Sequence, residues 1–258
     1  MKSREFAKVA EQEKIASDIY SLWIEASGIA AEAKPGQFLS LYSADQSRML
    51  PRPISICEID REHGRLRLVY RTVGAGTEEF SRLKAGDRIE VLGPLGNGFP
   101  LKKGKAFLIG GGIGIPPMVQ AAKELAGQEA PSMIQVIAGY RSEQFLTQEL
   151  SAYGTLYIAT EDGSAGTKGT VLDAVCEHAL DAEVIYACGP RPMLRAVKEY
   201  AEEHGIECWI SMEERMACGI GACLACVCGS TEVDGHSHVK NKRVCKDGPV
   251  FLSTEVEL

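Results

Sequence analysis

KAFLIGGGIGIPPMVQAAKELA, residues 105–126, runs from an unbroken apolar stretch through a glycine-rich loop into a helix-forming segment. KAFLIG (105–110) reads as a buried strand and PPMVQAAKELA (116–126) as a helix. Between them, Gly110, Gly111, Gly112 and Gly114 let the backbone approach a pyrophosphate closely. The helix start adds free N–H groups and the positive end of a dipole. Pro116 or Pro117 suits a first helical turn, where a missing N–H costs nothing. The spacing is not G-x-G-x-x-G, and a tight turn with no ligand is the plain alternative.

Downstream, strands and helices alternate. MIQVIAGY (133–140), TLYIAT (155–160), EVIYACG (183–189) and IECWIS (206–211) read as strands. SEQFLTQEL (142–150), VLDAVCEHAL (171–180) and RPMLRAVKEYAEEHG (191–205) read as helices. Such alternation predicts a parallel sheet with crossover helices over residues 101–211. A second loop, Cys188-Gly189-Pro190, falls at the C-terminal end of a strand, the edge where ligands of open α/β sheets collect. TLYIAT runs into Glu161-Asp162. Two carboxylates near an adenosine ribose would repel a 2′-phosphate, so the cofactor expected here is NAD, as a substrate. A solvated acidic loop is the alternative.

Upstream, residues 1–100 have a different rhythm. YSLWIE (20–25), GQFLSLY (36–42), ISICEI (54–59), RLRLVYR (65–71) and DRIEVLG (87–93) are short alternating strands between turn signals, with one helix near Thr77–Leu83. This predicts a small antiparallel barrel.

Residues 212–258 are short of periodic structure but rich in thiols. Nine cysteines occur in the chain, and five of them lie here. Cys218, Cys223 and Cys226 are spaced C-x4-C-x2-C, with Cys245 downstream, a plant-type pattern for a 2Fe–2S cluster. Zinc ribbons pair two C-x2-C knuckles instead; a structural zinc site or buried free thiols remain the alternatives. The small residues Ala217, Gly219, Gly221, Ala222 and Ala225 let a loop curl round an inorganic core. Cys228 is read as a small hydrophobe. His236 and His238 are candidate Rieske-type ligands, but no Cys-x-His pairing supports them.

Composition narrows the rest. The chain has 258 residues, 45% of them hydrophobic, so burying a core needs no disulfides. Its net charge of −7 argues against nucleic acid as a partner. No apolar run is long enough for a transmembrane helix, and the charged N-terminus lacks a signal core, so a cytoplasmic protein is expected. No general acid or base is assigned; His178 and His204 read as surface or capping residues.

A hydride donor and a one-electron cluster do not match each other directly. A flavin bridges them, because it takes a hydride and releases single electrons. The barrel is the domain left to hold it. Arg52-Pro53-Ile54-Ser55 offers a cation for phosphate and a hydroxyl for an isoalloxazine edge. Val69-Tyr70-Arg71 and Gly76-Thr77 add a second cation and a helix start.

R-P-I-S, V-Y-R-x-V-G-x-G-T, G-G-G-I-G-I-P-P and C-G-P, in that order, resemble the ferredoxin reductase superfamily. The tail, E-R-M-A-C-G-I-G-A-C-L-A-C-V-C with V-C-K-D-G-P-V-F, is similar to the electron-transfer subunits of class 1B, NAD-dependent dihydroorotate dehydrogenases. The resemblance implies a mixed β and α/β fold: an FAD-binding β-barrel (1–100), an NAD-binding parallel-sheet domain (101–211) and a small iron–sulfur subdomain (212–258). It implies FAD on Arg52–Ser55, Val69–Arg71, Gly76 and Thr77, and a 2Fe–2S cluster on Cys218, Cys223, Cys226 and Cys245. It further implies an FMN-containing catalytic subunit as partner, two copies of each. Electrons from dihydroorotate would pass from FMN to the cluster, FAD and NAD+ in pyrimidine biosynthesis. The competing assignment is an electron-transfer subunit of a hydrogenase or of a ferredoxin:NADP oxidoreductase.

Overall fold

The computed structural model describes residues 3–45, 47–233, 235 and 238–258. Six antiparallel strands close a barrel: β1 (Ser3–Ala16), β2 (Ile19–Glu25), β3 (Phe38–Tyr42), β4 (Arg52–Asp60), β5 (Arg65–Arg71) and β6 (Arg88–Leu95), in the order β1-β2-β5-β4-β3-β6. Two short helices, α1 (Ser27–Glu32) and α2 (Ala75–Phe80), interrupt it. The period-2 alternation of these strands sends Leu22, Ile24, Leu39, Leu41, Ile56, Leu66 and Leu68 into the barrel, all fully buried. Each such side chain contributes about 1.5–3 kcal/mol through burial.

The second body is a seven-stranded sheet. Its strands are β7 (Ala106–Gly111), β8 (Ile134–Tyr140), β9 (Thr155–Thr160), β10 (Thr167–Lys168), β11 (Val184–Cys188) and β12 (Glu207–Ser211), followed after the short ribbon β13 (Val227–Gly229) and β14 (Asn241–Arg243) by β15 (Val250–Leu252). The order is β10-β9-β8-β7-β11-β12-β15, parallel except for β15, which runs antiparallel to β12. Helices α3 (Pro116–Ala126), α4 (Thr147–Ser151), α5 (Val171–Glu177) and α6 (Arg191–His204) cover its faces. β7 is buried along its whole length because both faces are covered: Ala106 and Leu108 pack towards α3, Phe107 and Ile109 towards α5 and α6. The chain leaves β7 for β8 on one side and returns at β11 on the other. The gap between β7 and β11 is therefore the topological switch point.

The two bodies share a core. Ile19, Cys57 and Val69 point out of the barrel wall and pack with α3 residues Met118, Val119 and Ala122. Gln120, itself buried, accepts the Ile59 N–H at 2.7 Å. Arg67 on β5 reaches Glu149 on α4 (2.8 Å), and Lys123 on α3 reaches Glu58 on β4 (2.9 Å).

Some elements differ from the expectation. β1 was not foreseen as a strand: its exposed polar residues hide a buried alternation at Ala7 and Val9, and two register shifts break its pattern. α1 was not foreseen either. The barrel helix begins at Ala75, two residues before its expected start. The expected helix 142–150 shrinks to Thr147–Ser151. Phe145 and Leu146 are buried, Tyr140 Oη donates to the Phe145 carbonyl (2.8 Å), and Leu146 turns with φ 60. Burial of these two side chains overrides the helical pattern. The tail supplies three short strands, one of them an edge of the sheet.

Gln120→Ala leaves the Ile59 N–H buried without its acceptor. Urea unfolding should show a loss of about 1–3 kcal/mol, beyond what an exposed Gln→Ala change in α3 costs.

Candidate functional site

Two loops meet at the switch point. One runs from Gly111, the last residue of β7, to Gly114, and the other from Cys188, the last residue of β11, to Pro190. They touch backbone to backbone: a Cβ on Gly114 would stand 2.4 Å from the Cys188 carbonyl oxygen. α3 opens with both prolines in its first turn. Beside these loops lies a cleft of about 630 Å³. Gly111, Gly112, Pro190 and Met193 form its floor, Arg141 and Glu161 project from the ends of β8 and β9, and Thr170 starts α5. Gly110, Gly114, Cys188 and Gly189 are not on this cleft's surface; they shape the loops behind it, and Gly189 lines a smaller cavity of about 210 Å³. Of the two acidic residues, Glu161 borders the cleft, with Arg141 Nε 3.9 Å away. Asp162 is taken up locally: it accepts the Ser164 N–H (2.9 Å), which holds its carboxyl below the usual range.

A larger cleft, about 720 Å³, separates barrel from sheet. One wall is Arg52, Pro53, Ile54 and Ser55 of β4 with Val69, Tyr70 and Arg71 of β5. The opposite wall is Ile113, Arg191, Ser211 to Met216 and Pro249. Arg71 lines both clefts and pairs with Asp18 at 3.0 Å. The Arg52 guanidinium lies over the first turn of α2, where a Cβ on Gly76 would meet its Nε at 2.2 Å. Thr77 lines the cleft, but its hydroxyl is engaged with the Val73 N–H (2.9 Å) and the Gly74 carbonyl (3.0 Å). The Tyr70 hydroxyl is likewise committed to Gln12 (3.0 Å), its ring stacked on Tyr20. Two cations, a free serine and apolar walls suit a ligand with a diphosphate and a flat aromatic ring. A dinucleotide flavin fits this donor set.

Sequence reading does not place the segment 211–216 on a cofactor cleft, although Glu214 to Met216 open the cysteine-rich tail motif. The signal was available: it follows a parallel strand at the same C-terminal edge as the two glycine loops. Arg191 and Arg141 sit at that edge too.

From Met216 the chain runs directly into the cysteine loop, which turns through Gly219, Gly221 and Leu224, all at positive φ. Cys218 is half-buried, Cys223 exposed, Cys226 and Cys245 buried. They associate in two pairs: Cys223 hydrogen-bonds Cys218, and the Cys245 N–H points at Cys226 Sγ (3.4 Å). Among the described residues, no three His, Cys, Asp or Glu side chains converge on one point as a mononuclear metal needs. Two thiol pairs suit a two-iron centre, with two thiolates for each iron. Burial opposes ionisation of Cys218, but N–H groups of Ile220 and Cys223, the Cys223 thiol and the Ala222 N–H outweigh it and bring its pKa to about 6. Burial and the neighbouring Cys226 push Cys245 up to about 12.

Cys228 is buried on the β13–β14 ribbon, its thiol pointing at the Lys242 carbonyl (3.5 Å), as expected of a packing residue. His238 is exposed, and His236 lies outside the described residues. His178 caps α5 beside Tyr157, and His204 bonds the Tyr200 carbonyl (2.8 Å) in the last turn of α6. No helix is long and apolar enough to cross a membrane among the described residues.

Three family models match in succession: an oxidoreductase FAD-binding domain over residues 6–99, an oxidoreductase NAD-binding domain over 108–199, and the iron–sulfur cluster binding domain of dihydroorotate dehydrogenase B over 213–257. The chain is 45% identical over 257 residues to the dihydroorotate dehydrogenase B (NAD(+)) electron transfer subunit of Listeria monocytogenes serotype 4a (strain HCC23), covering 97% of this chain and 98% of that one. It is 42% identical over 263 residues to the Geobacillus thermodenitrificans (strain NG80-2) protein of the same name, covering both in full. Among solved structures, an NADH-dependent reduced ferredoxin-NADP oxidoreductase superposes with a TM-score of 0.87 at 30% identity, over 98% of this chain and 90% of that one. The ferredoxin reductase of carbazole 1,9a-dioxygenase shares the fold, with a TM-score of 0.67 at 21% identity, over 80% of this chain and 67% of that one. The chain is an NAD-linked electron-transfer oxidoreductase component that binds FAD, NAD and an iron–sulfur cluster. It belongs to the family of dihydroorotate dehydrogenase B (NAD+) electron transfer subunits.

Proposed function

We propose that the chain passes electrons from the FMN of a dihydroorotate-oxidising catalytic subunit, through a 2Fe–2S cluster and FAD, to NAD+ in cytoplasmic pyrimidine biosynthesis, in an assembly of two copies of each subunit. The observation that carries this reading is adjacency. Residues 211–216 form one wall of the larger cleft, the cysteine loop follows without a break, and Arg71 lines both clefts. When bound, the flavin exchanges electrons singly or in pairs, matching a one-electron cluster to a two-electron nicotinamide.

The residues divide the work. Cys218 and Cys223 would hold one iron, Cys226 and Cys245 the other. Arg52 and Arg71 would neutralise the FAD diphosphate, and Ser55 would orient the ring edge. Gly76 gives Arg52 room; Pro53, Ile54, Val69 and Tyr70 make the apolar wall, and Thr77 closes it. Gly110 to Gly114 and Cys188 to Pro190 would seat NAD, with Glu161 rather than Asp162 turned towards its ribose. Ile220, Leu224 and Val227 are exposed around the thiols, an apolar rim that a partner subunit would cover.

An alternative place in a ferredoxin:NADP oxidoreductase is favoured by the 0.87 superposition, though that protein is 30% identical against 45% for the dihydroorotate relatives. Co-purification separates the two, by whether an FMN-bearing partner reduces this chain with dihydroorotate.

Anaerobic material should contain two irons, two sulfides and one FAD per chain, and NADH should bleach the flavin and generate a cluster signal in electron paramagnetic resonance. A colourless protein with stoichiometric zinc would overturn the reading. Cys223→Ser should lose the cluster and transfer to the partner, while flavin reduction by NADH persists within about threefold. Gly114→Ala forces the two loops apart. It should weaken NADH binding by about tenfold, or 1.4 kcal/mol, in a flavin-bleaching titration, with FAD content unchanged. Glu161→Gln should narrow the preference for NADH over NADPH by about tenfold, read as the ratio of kcat/KM values.

A further inference from the structure

A hydride given to NAD+ carries two electrons and a proton. A cluster fed by a partner subunit delivers electrons alone. On the redox reading above, the balance is FAD + 2 e− + H+ → FADH−, then FADH− + NAD+ → FAD + NADH. One proton must therefore enter the flavin cleft for each hydride that leaves it, forming the N5–H bond that the hydride step then breaks.

We propose that Glu213 supplies this proton, its carboxyl O–H breaking as the flavin N5–H forms, and recovers one from solvent through the open cleft. Glu213 follows β12 and lines both the larger cleft and the small cavity beyond Gly189 and Pro190. Through that cavity it neighbours Pro190, which lines the cleft beside the glycine loops. Among the described residues it has no hydrogen-bond or ion-pair partner, whereas the next residue, Glu214, is paired with Arg191. The carboxyl is open to the cleft, yet the surrounding protein pushes its pKa up by desolvation, which favours the proton-loaded form.

The other groups facing it do not compete. Cys188, from the end of β11, is a fully buried thiol pushed far up by burial, and it keeps its proton. Arg191 from α6, Arg215 on the same segment, and Arg52 and Arg71 across the cleft are guanidiniums, which donate hydrogen bonds but not protons. Ser55 and Ser211 can pass a proton along but cannot store one. A carboxyl with a raised pKa beside a redox centre is suited to general acid work.

The test compares two ways of reducing flavin-loaded chain. NADH brings its own proton within the hydride; a light-activated deazaflavin donor brings electrons only. In Glu213→Gln, with FAD content measured alongside, reduction by NADH should slow far less than reduction by the deazaflavin donor. Flavin protonation under the deazaflavin donor should slow by about 10²-fold and lose its pH dependence and its sensitivity to D2O. Glu213→Asp should restore most of the rate. A protonated-carboxyl band in the reduced-minus-oxidised infrared spectrum should vanish in Glu213→Gln. Equal slowing of both routes, or wild-type protonation in Glu213→Gln with the band retained, overturns this proposal alone. A wild-type chain that holds no flavin overturns it together with the redox reading.

Discussion

The return of the C-terminal segment onto both bodies of the molecule is the constraint on which everything else depends. β15 adds to β12 by antiparallel pairing, and Met212 N donates to the Pro249 carbonyl (2.9 Å). On the other side, the Asn97 N–H donates to the Gly248 carbonyl (2.7 Å), just past the end of β6. Gly219 lies against Ser40 and Leu95 of the barrel. The segment is thus stitched to sheet and barrel at once. Its first residues wall the larger cleft and its next ones are the thiols, so the same backbone pairing sets the cysteine loop beside that cleft. A tail tied to one body alone would leave that spacing to a hinge.

Electrostatics in the loop pull the same way. One thiolate is well served by N–H groups, while burial and a neighbouring thiol resist another at Cys245. Metal held among these four thiols would supply the positive charge that a further thiolate lacks. The pairing of β15 on β12 does not share this need.

Much of this was legible in the residues. Apolar runs such as AFLIGG and IQVIAGY can only be strands covered on both faces, and their spacing with amphipathic helices gave the parallel sheet. The C-x4-C-x2-C spacing is local, so it survives without knowledge of the fold. β1 was harder, since a barrel strand with one wet face and two register shifts has a diluted alternation. The helix at 142–150 failed for a tertiary reason, the burial of Phe145 against Tyr140. The wall 211–216 escaped as a cleft lining because Ser211 to Glu213 carry no motif and Glu214 to Met216 read only as the lead-in to the cysteines. Their importance comes from where β12 ends, and that is a property of the sheet.

The ion pairs between the bodies have a role that stability alone does not explain. Arg67 is nearly buried, donates to Ser21 (2.8 Å) and reaches both Glu58 and Glu149; Lys123 also reaches Glu58. Desolvating such groups offsets much of their mutual attraction, and apolar replacements of similar volume can be as stable. What an apolar interface lacks is a preferred angle. The charged groups favour one, because Arg67 and Lys123 share Glu58 and Arg67 also reaches Glu149, which links β4, β5, α3 and α4 in one network. That angle matters at Arg71, which faces both clefts from one position. A sliding barrel would carry Arg71 away from one cleft as it approached the other. The buried charges therefore serve registration: they hold barrel and sheet in the arrangement at which Arg71 lines both clefts.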